Sequence, residues 1–151
     1  METVNYLSVI NQNAVRVGVS AANKEEAFQY IAQVLYEDGT LTSLEDFKKD
    51  LYYRESLGST GIGGGVAIPH GKSRAVKKSC IAIVKLEHPI PWETTDDKPV
   101  QVLILFAVKE EDKSTYFLRL MAQVARKLAQ DGVCAKLNDA RTKEELLKAL
   151  S

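Results

Sequence analysis

The chain has 151 residues, 45% apolar and 26% charged, and its 20 basic and 20 acidic side chains leave no net charge. That length buries one sizeable core, so a single domain over residues 1–151 is expected. No cluster of Lys and Arg tracks a nucleic-acid backbone or an anionic membrane surface, and no segment approaches the ~20 apolar residues that span a bilayer, which argues against nucleic-acid binding and direct membrane insertion. The opening METVNYLSVINQNAVRVGVS carries no basic region followed by a long apolar run, so a cytoplasmic location is expected. Cys80 and Cys134 stand alone beside apolar residues such as Ile81 and Val133, a pattern of reduced, packed thiols rather than of a disulfide or a zinc site.

In chain order, residues 4–19 come first: Val9, Ile10, Val15, Val17 and Val19 suggest strands, interrupted by Asn and Gln. Asn23 with Glu26 reads as a helix cap, and Phe28, Ile31, Ala32, Val34 and Leu35 keep helical spacing until Gly39. Ser43 caps a second helix in which Leu44, Phe47 and Leu51 share a face; it ends before Gly58 and carries Arg54 near its C-terminus. Three β-rich runs follow, Val66 to Ile68, Ile81 to Leu86 and Val100 to Val108. The last, VQVLILFAV, is continuously apolar, as suits a strand covered on both faces. From Tyr116, residues Phe117, Leu120, Met121, Val124, Ala125 and Leu128 recur at three and four positions, with Gly132 as the stop. Thr142 and Glu145 cap a last helix bearing Leu146, Leu147 and Leu150. The expected fold is a layered α/β sandwich: a mixed central sheet of about five strands with helices on both faces.

The unusual segment is STGIGGGVAIPHGKS, residues 59–73, with four of the nine glycines inside five positions. Such a stretch either closes backbone N–H groups around an anion or makes a tight turn. Neither nucleotide motif fits, because a Walker A loop ending at Gly71-Lys72-Ser73 and a dinucleotide fingerprint starting at Gly61 both require glycine where Val66 stands. His70 follows Pro69 and precedes Gly71, where the backbone is expected to leave a strand, so its imidazole is either a nucleophile held at a sheet edge or a partly exposed turn residue. His88, in the polar, proline-rich EHPIP connection, reads as loop surface. Two histidines without HxH, HxxxH or a nearby cysteine give no metal site, and no GxSxG supports a hydrolase triad. Arg54 either reaches an anion near His70 or is a solvated arginine favoured by the helix dipole.

The run from Arg54 through Lys72, RESLGSTGIGGGVAIPHGK, resembles the signature of the fructose/mannitol type of enzyme IIA in the bacterial phosphoenolpyruvate-dependent sugar phosphotransferase system. The resemblance extends over most of the chain, through the capped early helices, the Pro89-Ile90-Pro91-Trp92 connection, VQVLILFAV and the long helix. It implies a phosphotransferase component in which His70 accepts a phosphoryl group from HPr as tele-phosphohistidine and gives it to a cysteine of enzyme IIB, without cofactor or metal. Arg54, Ser59, Thr60 and Gly71 are the implied phosphate-stabilising residues. Many members carry a second active-site histidine at the start of the long helix; here that position is Phe117. Divergent members such as the galactitol-type ones also do without it. The alternative expectation is a regulatory module of the nitrogen-related type, whose phosphorylation state controls a partner.

Overall fold

The structure is a computed structural model that describes residues 5–151. The first position of the 4–19 stretch and residues 1–4 of the expected domain lie outside the described residues. A short 3-10 helix, Tyr6–Val9, leads into β1 (Ile10–Val19), then α1 (Lys24–Glu37) and α2 (Leu44–Leu57). Three short strands follow, β2 (Gly61–Gly63), β3 (Val66–Ala67) and β4 (His70–Ser73), then the long strands β5 (Cys80–Ile90) and β6 (Val100–Lys109). Helices α3 (Ser114–Leu128), α4 (Val133–Asp139) and α5 (Lys143–Leu150) complete the chain.

Among the described residues the sheet is mixed and has six strands rather than five, in the order β1-β5-β6-β3-β2, with β4 also on β6. The extra strand has a physical cause. β3 and β4 lie parallel to β6 in one unbroken register, Val66 opposite Val102 and His70 opposite Phe106. Between them Ile68 turns its N–H to the Thr60 carbonyl and Pro69 has none to give, so the stretch beside β6 is split in two. His70 therefore begins a strand instead of leaving one. His88 also differs from expectation: it lies on the far part of β5, although its side chain is exposed.

Both faces of the sheet are covered, which is why β5 and β6 are continuously apolar. Ala82, Val84, Leu103 and Leu105 face Phe28, Ile31, Phe47 and Leu51 of α1 and α2. Ile81, Ile83, Ile104 and Phe106 face Leu120, Val124, Leu137 and Leu146 of α3, α4 and α5. The three expected caps form: the side chains of Asn23, Ser43 and Thr142 accept from the backbone N–H groups of Glu26, Asp46 and Glu145, each contributing about 1 kcal/mol. Gly132 does not stop α3, which ends at Leu128. Its left-handed backbone, φ 82°, instead begins α4, a helix too short to show in the periodicity. Among the described residues no helix is long and apolar enough to cross a membrane.

Candidate functional site

Helix α2 is laid across β4 by Phe47 and Leu51, and Gly71 permits the close approach. A Cβ at Gly71 would stand 3.2 Å from the Phe47 ring and 3.3 Å from Leu51 Cδ2. Arg54, three residues past Leu51, is thereby brought over His70, and its Nε donates to His70 Nε2 at 2.8 Å. Its Nη1 donates to the Gly58 carbonyl at 2.7 Å, which fixes the guanidinium at the end of the helix. On the other side of the ring, Nδ1 lies 3.4 Å from the Ile68 carbonyl. These partners assign the tautomer: Nδ1 carries the proton and Nε2 the lone pair.

The half-buried His70 titrates below the ordinary histidine range, first because burial penalises the imidazolium and next because of the Arg54 charge. The Ile68 carbonyl and the Glu55 carboxylate oppose that shift. At neutral pH the ring is thus neutral, with its nucleophilic nitrogen against a guanidinium, an arrangement suited to accepting an anionic group. Phe117 closes another side. Its ring centroid is 5.3 Å from that of His70 and 5.6 Å from that of Phe106, so an aromatic wall stands at the position where many members of the resembled family carry a second histidine.

The other expected phosphate-stabilising residues are placed differently. The Ser59 hydroxyl donates to the Glu93 carbonyl, and the buried Thr60 hydroxyl donates to Glu55 Oε1. Gly71 adjoins His70 but serves the packing of α2. Of the two readings of the glycines, the tight turn describes them: Gly63, Gly64 and Gly65 have φ of 91°, 64° and 76° and form the β2–β3 turn. That turn is tied down on both sides. Gly64 N–H donates to Asp96 Oδ2 at 3.0 Å, and the Gly64 carbonyl accepts from Asn138 Nδ2 at 2.8 Å.

Sequence reasoning missed Glu55 and Lys24. The Glu55 side chain is 7% exposed, and Lys24 Nζ donates to it at 2.9 Å and to Glu93 Oε2 at 2.8 Å while lying over the Trp92 ring. Only the position of Glu55 next to Arg54 in the signature pointed to it. Among the described residues no group of three or more His, Cys, Asp or Glu side chains is placed to hold a metal ion.

The structure thus sets a neutral imidazole under an arginine at the edge of a mixed sheet covered on both faces. Residues 8–151 match the family described as "Phosphoenolpyruvate-dependent sugar phosphotransferase system, EIIA 2", and the chain belongs to that family. It is a phosphocarrier domain of the enzyme IIA type. It is 34% identical over 148 residues to the "PTS system 2-O-alpha-mannosyl-D-glycerate-specific EIIABC component" of Escherichia coli K12, covering 97% of this chain but only 22% of that protein. It is also 34% identical over 145 residues to the nitrogen regulatory protein of Klebsiella oxytoca, covering 95% of this chain and 88% of that one. The crystal structure of nitrogen regulatory protein IIA-Ntr from Neisseria meningitidis superposes with a TM-score of 0.86 at 28% identity, over 96% of this chain and 98% of that chain.

Proposed function

We propose that the chain, acting as one domain in the cytoplasm, takes a phosphoryl group from phosphorylated HPr onto His70 Nε2 and passes it to a cysteine of an enzyme IIB during sugar uptake. The observation that carries this reading is the 2.8 Å bond from Arg54 Nε to His70 Nε2, with the opposite nitrogen turned to the Ile68 carbonyl. In the forward step the Nε2 lone pair attacks phosphorus and the P–N bond to the donor histidine breaks. The Nδ1 proton stays in place against the Ile68 carbonyl, and Arg54 Nε transfers its hydrogen bond from the ring to a phosphoryl oxygen. In the second step a thiolate forms an S–P bond and the Nε2–P pair returns to the ring. No nucleotide or metal enters either step, so rate comes from alignment and charge stabilisation.

The rim suits a protein donor and acceptor. Tyr53 and Leu57, which flank Arg54 on α2, are each 66% exposed, and Leu118, next to Phe117, is 59% exposed. These exposed apolar side chains, on the two helices that supply Arg54 and Phe117, support a transient docking surface there. The EIIABC relative supports enzyme IIB as acceptor, since its name joins the A component to B and C components.

A second reading is favoured by the near full-length match to nitrogen regulatory proteins: phosphorylation of His70 sets affinity for a regulated partner. Transfer separates the two. Protein charged with phosphoenolpyruvate, enzyme I and HPr should lose its phosphoryl group to a cognate enzyme IIB at a rate rising with the concentration of that partner. Charging without any transfer would favour the regulatory reading, and the absence of charging would overturn both.

A further inference from the structure

The last turn of α2 holds both nitrogens of His70, one directly and one at a distance. Arg54 takes Nε2. The carbonyl facing Nδ1 belongs to Ile68, whose own N–H donates to the Thr60 carbonyl at 3.0 Å. The Thr60 hydroxyl in turn donates to Glu55 Oε1, and Glu55 Oε2 accepts from Lys24 Nζ at 2.9 Å. A continuous chain therefore runs from α1 through Glu55, Thr60 and Ile68 to the ring nitrogen that does not react. A carboxylate with 7% of its side chain exposed requires such partners, because a buried charge without them costs several kcal/mol.

Resting on the phosphotransfer reading above, we propose that Glu55 is a positioning residue for His70: by anchoring Thr60 and hence the Ile68 peptide, it holds the proton on Nδ1 and leaves Nε2 as the only nucleophile. The reasoning is that of any imidazole whose reactive nitrogen is chosen by the partner of the other one. Without the anchor the 3.4 Å contact from Nδ1 to the Ile68 carbonyl loses its backing, and only the Arg54 hydrogen bond still opposes a proton on Nε2. The charged groups acting on the ring are Arg54 and Glu55, both from α2; α3 presents the uncharged ring of Phe117.

The test uses the unphosphorylated protein and does not depend on transfer. With His88→Ala removing the only other imidazole, 15N-correlated NMR reads the tautomer and titration of His70 directly. The proposal expects a single Nδ1–H tautomer in the parent, a mixture in Glu55→Gln and Thr60→Val, and recovery in Thr60→Ser, which keeps the hydroxyl. Glu55→Gln should also move the titration midpoint downward, because a nearby negative charge that favours the imidazolium is gone. In the charging assay Glu55→Gln should slow phosphoryl uptake on the order of tenfold, the scale of losing an imidazole's orienting partner. An unchanged tautomer in Glu55→Gln and Thr60→Val overturns the proposal even if His70 is phosphorylated. A parent protein that takes no phosphoryl group overturns the functional reading, while the NMR result still decides the role of Glu55.

Discussion

Replacing Arg54 by Gln removes a charge from the ring while leaving a polar side chain of similar reach. The lost interaction is a 2.8 Å hydrogen bond from a cation to a half-buried nitrogen. A charge-assisted bond of this kind contributes about 1.5–3 kcal/mol. In the reaction that stabilisation passes to the phosphoryl oxygens, so its loss should slow phosphoryl uptake by about 10- to 150-fold at ~1.4 kcal/mol per decade. The same variant should move the titration of His70 upward, but not back to the ordinary value, because burial is the larger cause of its depression and persists. The stability sign follows. Above about pH 6.5 the ring is neutral in both the folded and unfolded chain and contributes nothing. As pH falls below that value the unfolded chain binds the proton first, so stability declines until the folded midpoint is passed. Arg54→Gln narrows that window from its acid end. Stopped-flow uptake from phospho-HPr, NMR titration of His70 and denaturant unfolding between pH 5 and 7 measure the three effects. An unshifted His70 midpoint together with a parent-like rate would refute the role given to the guanidinium.

Three further outcomes are expected. Gly71→Ala puts a methyl 3.2 Å from the Phe47 ring and lifts α2 from β4; it should cost about 1–3 kcal/mol by urea unfolding and slow phosphoryl uptake by displacing Arg54. Gly65→Ala, at φ 76° and with its Cβ 2.8 Å from Asn138 Oδ1, should destabilise by about 1–3 kcal/mol in the same assay, and charging of the folded fraction should persist because Arg54, Ile68 and Phe117, which hold the His70 ring, lie outside the turn. The Cys80 thiol is pushed up to about 11 by burial, so it should resist alkylation at pH 8 in the native protein and react after unfolding; rapid native labelling of Cys80 would contradict its packing.

Features set by local chemistry could be read from the sequence. Asn23, Ser43 and Thr142 cap helices through their own side chains, and the apolar β6 run requires cover on both faces. The pairing of Arg54 with His70 is one of two open readings until the signature favours it, since 16 positions separate them and the contact depends on α2 crossing β4 at Gly71. β1 was obscured because Asn11, Gln12 and Asn13 line its outer part, and only parallel pairing with the distant β5 makes it a strand. The glycines were ambiguous between a cradle and a turn; what decides is Asp96 and Asn138, both far along the chain. The resemblance implied Thr60 as a phosphate-stabilising residue, and nothing local in the sequence shows that its hydroxyl is bonded to Glu55.

The central claim, that His70 is the carrier, is most directly tested by intact-mass analysis after incubation with phosphoenolpyruvate, enzyme I and HPr. Because the chain has two histidines, His88→Ala and His70→Ala make a matched pair. The account predicts one acid-labile, alkali-stable phosphoryl group on the parent and on His88→Ala, and none on His70→Ala. Undiminished phosphorylation of His70→Ala would contradict it.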